Sequence, residues 1–139
     1  MNNAKLNDVL HQIINLPSFE KSAKRYYEKY QQLEEYTGVK SISMDQIIIS
    51  GEGKSYADII MEKDKHYNNY LHFKNKVDDC YKMLEVLDEE KRSLIIDWYT
   101  TPKNYRKKAD EFAKERGLSR RLFFYYKSEA LKKLVEFNK

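Results

Sequence analysis

Apolar residues recur at steps of three and four along most of this chain, the period that puts side chains on one face of an α-helix. Leu6, Val9, Leu10, Ile13 and Ile14 form one stripe, so the spacing predicts an amphipathic helix over 6–15. A second helix is expected over 18–37, ended by Gly38, because Phe19, Ala23, Tyr26, Tyr30, Leu33 and Thr37 alternate steps of four and three as a heptad seam does. A third is expected from Ser55, where Ser55 and Asp58 make an N-terminal capping pattern, to Leu87, with the seam Ile59, His66, Tyr70, Phe73, Val77, Cys80, Leu84 and Leu87. A helix of that length spans roughly 50 Å, more than a small core covers, so it needs a partner: the second helix folded back, or the same helix of another subunit. Asp88 can cap a fourth helix over 89–99, with Leu94, Ile95, Trp98 and Tyr99 apolar, before Thr101 and Pro102.

The stretch from Phe112 to Tyr126, FAKERGLSRRLFFYY, breaks this long-period pattern in a specific way. Ala113 is small enough for two helices to cross closely there. Gly117, four residues on, permits the positive φ of a helix C-terminus without a Cβ penalty. Leu118 can plug the angle, and Ser119 is a good N-cap for a helix starting at Arg120. Phe123, Tyr126 and Ala130 then share a face able to pack on Phe112 and Ala109. This is the layout of a helix-turn-helix, in which the first turns of the second helix enter the major groove of DNA. The residues expected to face bases are Ser119, Arg120, Arg121, Phe124, Tyr125 and Ser128, since arginine grips guanine O6 and N7 and an aromatic edge meets a thymine methyl. Arg106, Lys107, Lys108, Lys127 and Lys132 are expected at phosphates.

Charge sharpens this expectation. Residues 100–139 hold 12 Lys and Arg against 5 Asp and Glu, a net of +7, whereas residues 1–99 hold 14 against 17. Positive charge collected on the motif-bearing segment is the footprint of a polyanion binder. The 139-residue length argues against a large catalytic domain. No apolar run is long enough to span a membrane and the start lacks a signal-peptide core, so no membrane partner and a cytoplasmic location are expected. Cys80 is the only cysteine, which excludes an intramolecular disulfide and a cysteine metal cluster, and it reads as an apolar face residue.

One other segment invites a chemical reading. IIISGEGKS, residues 47–55, ends like a phosphate-binding loop, but the first glycine of G-x-x-x-x-G-K-[ST] falls at Ile48. No downstream strand supplies a magnesium-binding Asp, so the segment is expected to be a connector with a helix cap. His11, His66 and His72 do not pair at i, i+4, and no nucleophile–base set has a supporting context, so neither metal, cofactor nor enzyme activity is expected.

LDEEKRSLIIDWY (87–99) followed by ADEFAKERGLSRRLFFYYKSEALKKL (109–134) resembles region 4 of bacterial sigma factors. The layout of the whole chain is similar to phage late-gene regulators of the RinA and ArpU type, sigma-like activators of phages and prophages. The resemblance implies a regulator that binds a promoter or upstream site on double-stranded DNA and promotes late-gene expression, with host RNA polymerase as a partner. Arg120 and Arg121 match places used for promoter contact. Phe124 and Tyr125 stand where that family usually has Arg and Gln, and Leu122 replaces another polar residue, so the family's target sequence does not carry over. The expected fold is all-α: an N-terminal long-helix hairpin or coiled coil over 1–86 with a connector at about 38–54, joined to a C-terminal three-helix helix-turn-helix unit over 87–139. A homodimer through the long helices is compatible with this layout, and a DNA-packaging adaptor of the small-terminase kind is the alternative function.

Overall fold

The computed structural model describes residues 3–38 and 56–137, and for 36–38 the backbone alone. Beyond Gly38, the last residue of its helix, the expected connector, the GKS segment and the Ser55 cap lie outside the described residues. Every regular element among the described residues is helical, so the fold is all-α. The helices are α1 (Asn3–Ile14), α2 (Leu16–Gly38), α3 (Tyr56–Leu84), α4 (Glu89–Thr100), α5 (Ala109–Glu115) and α6 (Arg120–Phe137), with a 3₁₀ turn at Lys103–Tyr105. No helix is long and apolar enough to cross a membrane among the described residues.

The packing divides the chain into two compact units, Met1–Pro17 with Val77–Lys139, and Ser18–Lys76. The reason is shared burial. Val9, Ile13 and Leu16 from the N-terminus, and Cys80, Met83 and Leu84 from the end of α3, are buried in one cluster with Leu94, Ile95, Phe123 and Leu134. α1 accordingly packs on α4 and α6. Ile14, expected on the apolar stripe of α1, is about half exposed and stands off this core. The Cys80 thiol is buried and donates to the Gln12 carbonyl at 3.7 Å.

Within 18–76, rings carry the contact between α2 and α3. Phe19 meets Phe73, Tyr26 stacks on Phe73 and leans on His66, Tyr27 meets Tyr70, and Tyr30 meets Tyr67. As one residue number rises the other falls, which is the signature of antiparallel helices. The aromatic seam of α3 therefore finds a partner in its own chain. Each offset ring pair contributes ~0.5–1.5 kcal/mol beyond the apolar area it buries.

The helix ends follow the capping residues. Asp88 has extended backbone and its Oδ1 accepts from the Lys91 amide at 2.8 Å, as expected for the start of α4. α3 ends at Leu84, short of the expected Leu87, because i, i+3 bonds tighten the chain at Val86 and Leu87. There the Arg92 guanidinium reaches back to the Leu84 and Leu87 carbonyls at 3.2 and 2.9 Å and satisfies groups the helix leaves open. Thr100 and Thr101 return their hydroxyls to the carbonyls four residues back, and Pro102 follows.

The turn between α5 and α6 is a two-bond Schellman motif. The Leu118 amide donates to the Ala113 carbonyl at 2.8 Å, the Gly117 amide to the Lys114 carbonyl at 3.0 Å, and Gly117 takes φ +72°. Ser119 then caps α6, its Oγ accepting from the Leu122 amide at 3.1 Å. A Cβ at Gly117 meets nothing within 4 Å, so substitution there tests backbone conformation alone. Gly117→Ala is expected to cost about 1 kcal/mol in urea unfolding, and Gly117→Asn less because asparagine tolerates the left-handed region. Phe123→Ala, which empties the centre of the core, is expected to cost about 3–5 kcal/mol.

Candidate nucleic-acid interface

Three rings from three helices set the position of α6. Trp98 of α4, Phe112 of α5 and Phe123 of α6 meet edge to face, with centroids 5.1–5.3 Å apart. Ala113 is fully buried at the place where α5 approaches α6, and Ala130, Leu131, Leu134 and Val135 continue the buried side of α6. Arg116 ties the end of α5 to α4: its guanidinium bonds Asp97 at 2.9 Å and the Ser93 hydroxyl at 2.7 Å, and lies over Phe112.

Burying that side of α6 turns the other outward. Arg121, Tyr125, Ser128 and Lys132 form an exposed stripe at steps of four, three and four. Arg121 has no ionic partner among the described residues, and Tyr125 is 57% exposed. Arg120 and Phe124 stand on an adjoining stripe. The Arg120 guanidinium lies over the Phe124 ring at 5.6 Å, and its Nε is 3.4 Å from Asp110 Oδ1 of α5. Ser119 is exposed, but its hydroxyl is engaged in the cap. The residues expected to face bases thus lie together at the first turns of α6.

The residues expected at phosphates are not equivalent. Lys108 and Lys132 are exposed, and Lys107 is ion-paired with Glu115. Arg106 and Lys127 are half-buried and lie over the rings of Trp98 and Tyr99. Arg106 donates to the Thr101 carbonyl at 3.3 Å, while its Nε is buried without a hydrogen-bond partner. These two cations pack the outer side of α4, which their number in the sequence does not reveal. Asp110 and Arg116 do not stand out by periodicity because each acts through a neighbour on another element, Asp110 through Arg120 and Arg116 through Asp97 and Ser93.

Burial has electrostatic consequences at this packed face. The Lys127 amine is held below the ordinary lysine value, first by loss of water and then by the nearby Arg106 charge. The faces of Trp98, Tyr99 and Phe124 offset part of that cost. Burial pushes the Tyr99 phenol up to about 12, with Arg106 opposing.

Comparison with family models, with curated proteins and with solved structures gives no match. The functional reading therefore stands on the residues and their geometry.

The Tyr99 shift has a definite sign. Between pH 10 and 12 the unfolded chain releases this phenolic proton while the folded chain keeps it, so folding stability falls as pH rises through that window. Lys127 acts oppositely, adding stability as pH rises towards the ordinary lysine value. Tyr99→Phe is expected to flatten the alkaline loss in urea unfolding at pH 9 and 11.5. A loss as steep as the parent's would show that Tyr99 ionises as an ordinary exposed phenol.

Proposed function

We propose that this chain is a sequence-specific double-stranded DNA-binding regulator of transcription, with α5 and α6 as a helix-turn-helix and α6 as the helix that enters the major groove. The observation that carries the reading is the outward face of α6: Arg120, Arg121, Tyr125, Ser128 and Lys132 are exposed on a helix whose opposite side is locked into the core. A helix supported in this way fits the groove, and its arginines and lysine supply both base-reading and phosphate-holding groups. The net charge of +7 over 100–139 supplies the long-range attraction. The sequence resemblance to sigma region 4 and to late-gene regulators of the RinA and ArpU type gives the proposal its finer form, control of phage late genes with RNA polymerase contact.

The test is duplex binding by the full chain, titrated with salt and measured on a selected site and on a scrambled one. Affinity is expected to fall with salt at a log–log slope of about −0.9 per phosphate neutralised. Arg121→Ala is expected to reduce that slope by about 1. The Arg120→Ala, Arg121→Ala double variant is expected to lose preference for the selected site; preference retained in that variant would sink the proposal.

A further inference from the structure

Two arginines begin α6, and they are held differently. Arg121 lies exposed beside Ser119, Leu122 and Tyr125, with no ionic partner among the described residues. Arg120 has neighbours on two sides: Asp110 Oδ1 forms an ion pair with it, 3.4 Å from its Nε, and the Phe124 ring lies 5.6 Å from its guanidinium. Phe124 is itself braced edge to face against the fully buried Phe123 at 5.2 Å. On the other helix, Asp110 lies two and three residues before Phe112 and Ala113, both anchored in the core. The pair thus joins two fixed backbones across the hollow lined by Lys108, Ala109, Asp110 and Arg120.

The pair does little for folding. Both side chains are 67% exposed, and an ion pair that open to water contributes ~0–1 kcal/mol. Its effect lies in what it leaves available. Nε is the Arg120 nitrogen that approaches Asp110, at 3.4 Å, so the planar fork of terminal nitrogens, which matches guanine O6 and N7, is not the part of the guanidinium paired with the carboxylate. A guanidinium already held by a carboxylate and a ring loses less rotamer freedom on binding than an unsupported one. The Asp110 charge also opposes close approach of an anionic phosphate more than that of a neutral base edge, so binding out of register is penalised.

We propose that Asp110 is a positioning residue for DNA reading: with Phe124 it makes Arg120 the arginine that discriminates sequence, and it leaves Arg121 to hold the backbone. This rests on the DNA-binding reading above. Phe124 accordingly acts as the platform under Arg120 and Lys127, both of which lie 5.6 Å from its ring, and not as a reader of thymine methyls.

The experiment uses the full chain and compares affinity for the selected duplex with affinity for a scrambled one at fixed salt. Asp110→Asn is expected to raise binding to the scrambled duplex and to lower the selected-to-scrambled ratio by up to about fivefold, the most that so exposed a pair can supply. Arg120→Ala is expected to lower the ratio at least as far, with Asp110→Asn adding nothing in that background. Asp110→Glu should recover part of the ratio, and Glu111→Gln, the same charge change in the same turn, should leave it intact. Arg121→Ala should weaken both duplexes equally. An unchanged ratio in Asp110→Asn, an equal loss on both duplexes, or the same drop with Glu111→Gln would each overturn the assignment while leaving DNA binding standing. If the unaltered chain selects no duplex, the DNA-binding reading fails and this inference fails with it.

Discussion

The edge-to-face contact of Trp98, Phe112 and Phe123 is the interaction on which the C-terminal part of this protein depends. α5 has only seven residues, far too few to hold a helical conformation unaided in water. Its stability comes from Phe112 and Ala113 in the core, from the bonds of Arg116 to Asp97 and Ser93, and from the Schellman turn that hands the chain to α6. Because Phe123 is the third ring of the set, the same contact fixes the rotation of α6. That rotation decides that Arg121, Tyr125, Ser128 and Lys132 look outward.

The same rings divide the basic residues into two groups. Arg106 and Lys127 lie against Trp98 and Tyr99, half withdrawn from water, and Arg116 lies on Phe112. Their charge adds to the local field, but their side chains are engaged in packing. Arg121, Lys108 and Lys132 remain exposed. A count of twelve cations in residues 100–139 therefore overstates the number available to hold a phosphate. Arg120 is intermediate, exposed yet ion-paired with Asp110, and that pairing distinguishes it from its neighbour.

Local signals made much of this architecture legible. Asp88, Gly117 and Ser119 were identifiable because caps and left-handed turns are set by residues within a few positions, and all three act at their expected places. The heptad seams were legible from the three- and four-residue spacing, with Cys80 and Leu84 buried at the end of α3 and Leu87 buried just beyond it. Non-local choices were not. That α1 joins the C-terminal core depends on Val9 and Ile13 finding Leu94 and Leu134, a pairing that no periodicity within α1 encodes. The open carbonyls at the end of α3 are met by Arg92, eight residues downstream of Leu84. Among the candidate site residues, exposure on α6 followed from the buried Phe123 face, whereas the engagement of Arg106, Lys127 and Arg120 followed from partners on other elements.

The central claim, that the first turns of α6 lie in the major groove, is tested most directly by chemical protection of a DNA fragment selected from the source genome by the full chain. Dimethyl sulfate modifies guanine N7 in the major groove and adenine N3 in the minor groove, so one experiment reports both faces of the duplex. Protection of guanine N7 at one or two positions, lost in Arg120→Ala, is the expected result. Protection confined to adenine N3, or selection that enriches no fragment, would contradict it.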